Sequence, residues 1–227
     1  MDIGSAFTFM FDDEEWVKKL AIGGGIMLAS VLLTPLFLVG LLLMFPLLGY
    51  SLEMMKNVRD SKLRPLPEWT DFGALFKSGM FVFLIGLVYN IPALLVYCLS
   101  FAAQFGMSAA GGDSSDMASA LSVVVICFTC LQIVLSLGAY ILLPAGVIRY
   151  AQYDNFGAAF QFGEIFSFIR NNVGDYIIVA LLAWVASLVA AFGLIICIVG
   201  VFFTIFWSYL VTFNLFGQLA KKTQGTY

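Results

Sequence analysis

The chain has 227 residues, of which 62% are hydrophobic and 11% are charged, and its formal net charge is -3 at pH 7. This composition is far more apolar than that of water-soluble domains, and the lack of a concentrated basic face argues against a nucleic-acid partner. Histidine is absent. The commonest general base and metal ligand is therefore missing, and we expect no catalytic residue, metal or cofactor.

Four long segments of the chain contain no Asp, Glu, Lys or Arg. The hydrocarbon core of a bilayer is about 30 Å thick and needs about 20 helical residues to cross it, and each segment exceeds that length. The sequence therefore predicts an all-α, polytopic transmembrane helical bundle in a single membrane domain, 1–227. The four segments are Leu20–Leu52, Met80–Ala103, Leu121–Ile148 and Tyr176–Leu219.

The eleven basic residues fall in four short segments between these apolar runs. Short flanks rich in Lys and Arg stay in the cytoplasm under the positive-inside rule, so we expect all four segments and both termini to be cytoplasmic. The acidic segment 107–117 has no basic residue and is expected on the opposite side. The four basic segments are 1–19, 53–77, 149–172 and 220–227.

The first apolar run is short for the two crossings that this topology requires. If both of its flanks are cytoplasmic, it crosses the membrane twice, yet Leu20–Leu52 supplies only 33 residues where two helices ideally need about 40. The turn would fall at Thr34–Pro35, because proline disfavours helix in the residue before it. The alternative is one long helix kinked at Pro35 or Pro46.

The later runs fit the same rule more easily. Helices near 78–105 and 118–149 would form a second hairpin, and the last run would turn within 193–200. Six crossings in three hairpins follow, and we favour them over five crossings with an amino terminus outside.

An aromatic segment precedes each predicted hairpin and is typical of an amphipathic helix in the membrane interface. In each segment two phenylalanines are four residues apart, so they would share one helical face. This recurrence predicts three repeat units, 5–56, 68–150 and 156–220. The phenylalanine pairs are Phe7 and Phe11, Phe72 and Phe76, and Phe162 and Phe166.

The segment 65–69 is the candidate partner-docking element. Two prolines stiffen the approach to an acid and an indole, so that Trp69 could anchor at an interface while Glu68 pairs with a base. The alternative is a solvated connector whose bases contact anionic headgroups. The candidate docking residues are Pro65, Pro67, Glu68 and Trp69.

These residues also carry a family resemblance. The motif FDDEEW near the amino terminus, the pair Gly49–Tyr50, and LPEW at Leu66–Trp69 followed by DFGALFKSG resemble the DUF4013 family of prokaryotic membrane proteins over most of the chain. The resemblance implies a multi-pass protein of a prokaryotic plasma membrane. The family has no assigned activity, so it supplies no catalytic residues.

Few polar residues lie within the apolar runs, and Asn90 and Gln132 are the candidate intramembrane polar site. We expect interhelical hydrogen bonds from both. Asn90 also precedes Pro92, where a broken helix would expose backbone carbonyl groups to a solute. Cys127 and Cys130 form a CxxC motif, which without a second pair indicates packing rather than a metal or redox site.

Two functions remain after these exclusions. The first is a non-enzymatic scaffold or accessory subunit that contacts the lipid bilayer and packs against another copy or another membrane protein. The alternative is a transporter or channel for a neutral or lipid-like solute, since ion coupling usually needs ionisable groups inside the membrane. A membrane-embedded enzyme is a distant third.

Overall fold

The computed structural model describes residues 2–109, 115–196 and 199–224, and the regular structure in these ranges is helical, with no strand. Two short 3-10 segments, Phe9–Asp12 and Phe156–Phe160, join longer elements. The all-α class is therefore confirmed. The helices are α1 Ile3–Thr8, α2 Trp16–Leu32, α3 Phe37–Arg59, α4 Phe72–Ala109, α5 Ser115–Tyr153, α6 Phe162–Asn171, α7 Val173–Ala191, α8 Gly193–Ile196 and α9 Gly200–Thr223.

Five of the described helices, α3, α4, α5, α7 and α9, are long and apolar enough to cross a membrane. The chain is thus a multi-pass membrane protein. Helix α2 is also apolar but has 17 residues, at the lower end of the roughly 17–25 that span a bilayer. The count of six crossings therefore depends on α2.

The chain divides into two compact units. Unit 1 contains residues 1–83 and 145–227, and unit 2 contains residues 84–144. Unit 1 holds α1, α2, α3, α6, α7, α8 and α9 with the adjoining ends of α4 and α5, and unit 2 holds the remaining parts of α4 and α5. The threefold repeat stays a prediction.

The first apolar run folds as a helical hairpin within unit 1. Helix α2 ends at Leu32 and α3 begins at Phe37, so the chain turns at Thr34–Pro35 as predicted. One long kinked helix is wrong for this run. The helices pack side by side, with Ser30 Oγ 3.4 Å from Met44 Sδ. Pro46 lies inside α3 without ending it.

Two glycines allow α3 and α4 to cross closely in unit 1. A Cβ atom on Gly49 would overlap the carbonyl oxygen of Leu75, and one on Gly79 would overlap the carbonyl oxygen of Phe45. Backbones approach this closely only where side chains are absent. The crossing therefore places the end of α3 beside the segment 65–71 that leads into α4.

The last apolar run also forms a hairpin, α7 with α9. Small residues of α7, Ala183, Ala186 and Ala190, are buried, and Thr204 Oγ1 on α9 donates a hydrogen bond to the carbonyl oxygen of Ala190 at 2.7 Å. The chain turns between Ala191 and Gly200, within the predicted range. Helix α9 packs against α2 and α3 as well.

The three aromatic segments differ from one another. Only the third is a separate strongly amphipathic helix, α6, which Asn172 ends by donating its side-chain amide to the carbonyl oxygen of Phe168 at 2.9 Å. The second segment is the first part of α4, because Asp71 Oδ1 accepts a hydrogen bond from the Ala74 N–H at 2.9 Å and caps the long helix there. The expectation of a separate helix before the second hairpin is wrong.

The first aromatic segment is split between α1 and a 3-10 turn. Phe7 packs near Trp207 with ring centroids 6.0 Å apart, whereas Phe11 packs on Trp16 at 5.0 Å. The two rings therefore have different surroundings, and the shared face that their spacing predicted does not form.

Unit 2 is a two-helix hairpin with a narrow buried stripe. On α4 the stripe passes through Ile85, Tyr89, Ala93 and Val96, a spacing of three and four residues that lines one helical face. The other faces are exposed and apolar. The segment 107–117, expected outside, lies partly beyond the described residues.

Candidate functional site

The basic segments predicted to lie on one side meet at one end of unit 1. Lys19 pairs with Glu68, Lys56 with Asp154, and Gln152 Nε2 donates to the carbonyl oxygen of Ala220 at 3.3 Å. These contacts join all four segments. Because each intervening stretch within unit 1 leaves and returns to this end, the arrangement agrees with the first and last predicted hairpins.

Lys19 is the centre of a buried ionic cluster at this end. Its Nζ lies 2.8 Å from Asp13 Oδ2 and 2.5 Å from Glu68 Oε1, and it is 3.4 Å from the carbonyl oxygen of Leu66. Lys19 and Asp13 are each 4% exposed. Since an ammonium group has three donors, these acceptors satisfy it, and the cluster holds α2, the amino-terminal segment and the loop before α4 together.

The Asp13 carboxylate has a pKa below its ordinary value. Burial alone would raise this pKa, but the hydrogen bond from Lys19, a backbone N–H bond from Glu15 and the charge of Arg64 together outweigh burial. The carboxylate is therefore ionised across the neutral range, and its charge is matched by Lys19. Such a pair is suited to a structural role rather than to proton transfer.

The candidate docking segment forms the other half of this cluster. Tyr50 stacks on Trp69 with ring centroids 4.2 Å apart and 13° between their planes, and its hydroxyl donates to the carbonyl oxygen of Pro67 at 3.0 Å. Asn57 Nδ2 donates to the carbonyl oxygen of Pro65 at 2.9 Å.

These contacts turn the segment inward. Pro65 and Trp69 are buried, Pro67 is half-buried and Glu68 is exposed. The predicted pairing of Glu68 with a base is the contact with Lys19. The Trp69 indole does not anchor at an interface, because its Nε1 donates to the carbonyl oxygen of Lys19 at 3.1 Å. A docking role for this segment stays a prediction, with Glu68 its exposed member.

A second polar cluster surrounds Arg149 near the end of α5. Its guanidinium donates to Gln161 Oε1 at 2.7 Å and lies 3.8 Å from Glu164 Oε2, and it covers the Tyr153 ring at 5.2 Å. Arg149 is 5% exposed. The cluster fastens α6 to α5 within unit 1, which explains how the amphipathic helix is held.

The two intramembrane candidates, both in unit 2, have different surroundings. Asn90 is exposed on α4, and its Nδ2 donates to the carbonyl oxygen of Gly86 at 2.8 Å, so this bond lies within the helix rather than between helices. Helix α4 is not broken at Pro92 and continues through it, so the broken-helix alternative at this position is wrong. Gln132 Oε1 is buried without a hydrogen-bond partner in the described part of the chain.

The cysteines add no site of their own. Cys98, Cys127 and Cys130 carry free thiols and are exposed, and no group of metal-ligating side chains occurs within the described residues. Cys197 lies outside those residues.

A cleft of about 550 Å³ opens at the end of unit 1 where the basic segments meet. Its walls come from the amino-terminal segment at positions 2–12, from the end of α3 and the following loop at 58–65, and from the end of α9 at 214–222. Polar and apolar side chains both line these walls. Volumes of about 300–1,000 Å³ are usual for small-ligand sites.

The sequence profile of the family described as "Protein of unknown function (DUF4013)" matches residues 22–214. The chain belongs to the DUF4013 family. No curated protein and no solved structure is similar to it. Most of the unit 1 core and all of unit 2 fall within the matched residues, whereas Asp13, Lys19 and the amino-terminal wall of the cleft precede them.

Sequence reasoning missed two features of this DUF4013 protein. It did not connect Asp13 and Lys19 with Glu68, because these residues are distant in sequence and share no periodic pattern. It also did not single out Asn214, a polar residue of the last span. The signal available was its spacing from Gln218, which places two amides on one face of α9 near a basic helix end.

Proposed function

We propose that this DUF4013 protein is a non-enzymatic scaffold or accessory subunit of a membrane assembly, which packs against a second copy or another membrane protein through unit 2. The observation that carries the proposal is the position of Asn90. It is exposed on an apolar hairpin, and its Oδ1 accepts no hydrogen bond from the described residues. In lipid, an amide oxygen gains a hydrogen bond only from another polar group, and neighbouring helices commonly supply one.

The surface around Asn90 supports this assignment. Leu87 and Leu94 lie on the same face of α4, three residues before and four residues after Asn90, and are 41% and 48% exposed. A partner helix laid on this face would cover both leucines and reach the amide. Asp, Glu, Lys, Arg and His are absent from positions 84–112, which suits packing better than ion transport.

A photo-crosslinking amino acid at Leu94 tests the proposal in native membranes. We expect a protein adduct, identified by mass as a second copy or as another membrane protein. The same probe at Leu99, which is 59% exposed on a different face of α4, is the matched control and should yield lipid adducts alone. Asn90→Leu should reduce the adduct at Leu94. Lipid adducts alone at both positions would contradict a scaffold role.

Transport of a neutral or lipid-like solute is the second candidate, because the buried Oε1 of Gln132 could accept a hydrogen bond from a solute. Purified protein in sealed vesicles would then conduct a neutral solute, and Gln132→Leu would reduce that flux. A scaffold predicts no flux in either case and a stable complex instead.

A further inference from the structure

The cleft in unit 1 carries charged groups of both signs that the surrounding fold leaves open. Lys62 and Lys221 line it, and neither ammonium group pairs with a described carboxylate. Asp12 also lines it, and its carboxylate has no cationic partner in the same part of the chain. Lys222 differs, since its Nζ lies 2.6 Å from Asp175 Oδ2. Lys62, Lys221 and Asp12 therefore face one space without an ion pair to a described residue, beside Asp2, whose carboxylate accepts a hydrogen bond from the Ser5 N–H.

A buried amide inside the cleft points to a ligand independently of these charges. Asn214 is 3% exposed and lines the cleft. Its Oδ1 accepts a hydrogen bond from Gln218 Nε2 at 2.9 Å, but its Nδ2 donates to no described residue. Amide donors in proteins are nearly always satisfied by protein or by water, so this nitrogen is a donor available to a molecule bound in the cleft.

The position of the cleft favours a lipid as the source of that molecule. It lies at the ends of α3 and α9, two of the helices that can span a membrane. Leu63, on its wall, is 97% exposed and stands between Lys62 and Arg64. This arrangement is typical of a segment in the headgroup layer, where the Leu63 side chain would enter the lipid and the two neighbouring bases would contact phosphates.

We propose that this cleft binds the headgroup of a zwitterionic phospholipid that carries a phosphate and a primary ammonium group. Lys62, Lys221 and the Nδ2 of Asn214 donate to the phosphate oxygens, and Asp12 accepts from the ammonium group. The charges of the cleft match both halves of this headgroup. This site is independent of the scaffold role, which rests on unit 2.

Binding of short-chain phosphatidylethanolamine to the purified full-length protein, measured by native mass spectrometry in detergent, tests the site. We expect the double variant Lys62→Gln, Lys221→Gln to bind this lipid about tenfold more weakly or worse. The reason is that each of the two cations contributes a similar attraction to the headgroup phosphate. Lys77→Gln with Arg170→Gln removes the same charge from exposed positions outside the cleft. This control should leave binding nearly unchanged.

Two further variants separate the parts of the headgroup. Asn214→Asp keeps the acceptor for Gln218 and replaces the open donor with an acceptor, so it should weaken phosphatidylethanolamine binding. Asp12→Asn should abolish the preference for phosphatidylethanolamine over phosphatidylcholine, whose quaternary ammonium has no N–H, while binding of phosphatidylglycerol stays. Melting temperatures equal to that of the unmodified protein would show that these variants fold.

Three results would overturn the proposal. The first is equal weakening by the cleft pair and the control pair, which would mean unspecific attraction. The second is undetectable binding of phosphatidylethanolamine to the unmodified protein. The third is binding of soluble phosphoethanolamine as tight as that of the lipid, which would assign the cleft to a free phosphate ester.

Discussion

The Trp69 indole N–H donates a hydrogen bond to the backbone carbonyl oxygen of Lys19 at 3.1 Å. This bond joins the loop before α4 to the start of α2, and the Tyr50 ring stacks on the other side of the indole. One side chain thus holds three segments of unit 1 together. Within the LPEW motif of this DUF4013 protein, Trp69 therefore fastens the loop to α2 and α3, and docking of a partner at the exposed Glu68 stays a prediction.

Replacing the indole tests these contacts of Trp69. Trp69→Phe keeps an aromatic ring against Tyr50 but leaves the Lys19 carbonyl oxygen without its donor, so we expect a loss of about 1–3 kcal/mol in the free energy of unfolding. Trp69→Ala also removes the stacked ring and should cost about 3–5 kcal/mol. Denaturant unfolding in detergent measures both. Equal stabilities for the two variants would contradict the stacking contribution.

Replacing each of two adjacent lysines compares the stability contributed by a buried ion pair with that contributed by an exposed one. Lys19→Met leaves Asp13 buried without a counter-ion and should cost about 3–5 kcal/mol. Lys18→Met removes an exposed pair with Glu15, for which we expect a loss below about 1 kcal/mol. Asp13→Asn in the Lys19→Met background should recover part of the stability. Equal losses in the free energy of unfolding for the two lysine variants would mean that the buried cluster stabilises the fold no more than the exposed pair does.

The Asp13 carboxylate predicts an acid-dependent loss of stability. Its folded pKa lies below the ordinary value of 3.8, so its contribution is fully present above pH 3.8 and is lost as pH falls through the lower folded pKa. The free energy of unfolding, measured from pH 6 downward, should therefore fall more steeply with decreasing pH below pH 3.8. Asp13→Asn should flatten this part of the profile, and an unchanged profile would be evidence against the assigned pairing.

The α3–α4 crossing depends on the absence of two side chains. Gly49→Ala or Gly79→Ala places a methyl group on a backbone carbonyl of the facing helix, and we expect a loss of about 1–3 kcal/mol or more. Gly25→Ala on α2 is the control, because nothing lies within 4 Å of its added methyl group. That change should be neutral or stabilising by about 0.5–1 kcal/mol. The melting temperatures of the three variants, measured by thermal unfolding in detergent, test this difference.

The parts of this fold that the sequence could predict are those governed by local rules. The break at Thr34–Pro35 follows from the geometry before proline, and the gathering of the basic segments at one end follows from their distribution along the chain. The continuation of α4 through Pro92 agrees with the predicted helix near 78–105. A long apolar helix in a membrane tolerates proline in its interior.

The candidate site was less predictable because its contacts are long-range. Nothing near Trp69 in sequence indicates that its N–H meets Lys19, and the Asp13–Lys19 pair has a spacing that no regular helix face would produce. At Asn90 a long-range contact was predicted and does not form. A hydrogen bond between helices was expected, but the amide donates to a carbonyl oxygen of its own helix. Pairings of this kind are decided by which helices pack together.

A thiol-labelling map tests the shared side of the basic segments most directly. Single cysteines at Ser5, Ser115 and Thr226, in a protein lacking the four native cysteines, would be exposed to a reagent that cannot cross the membrane. We expect labelling from outside at Ser115 alone, and labelling at the other two positions after the membrane is opened. Labelling of Ser5 or Thr226 from outside would contradict the cytoplasmic placement of both termini and the six-crossing topology.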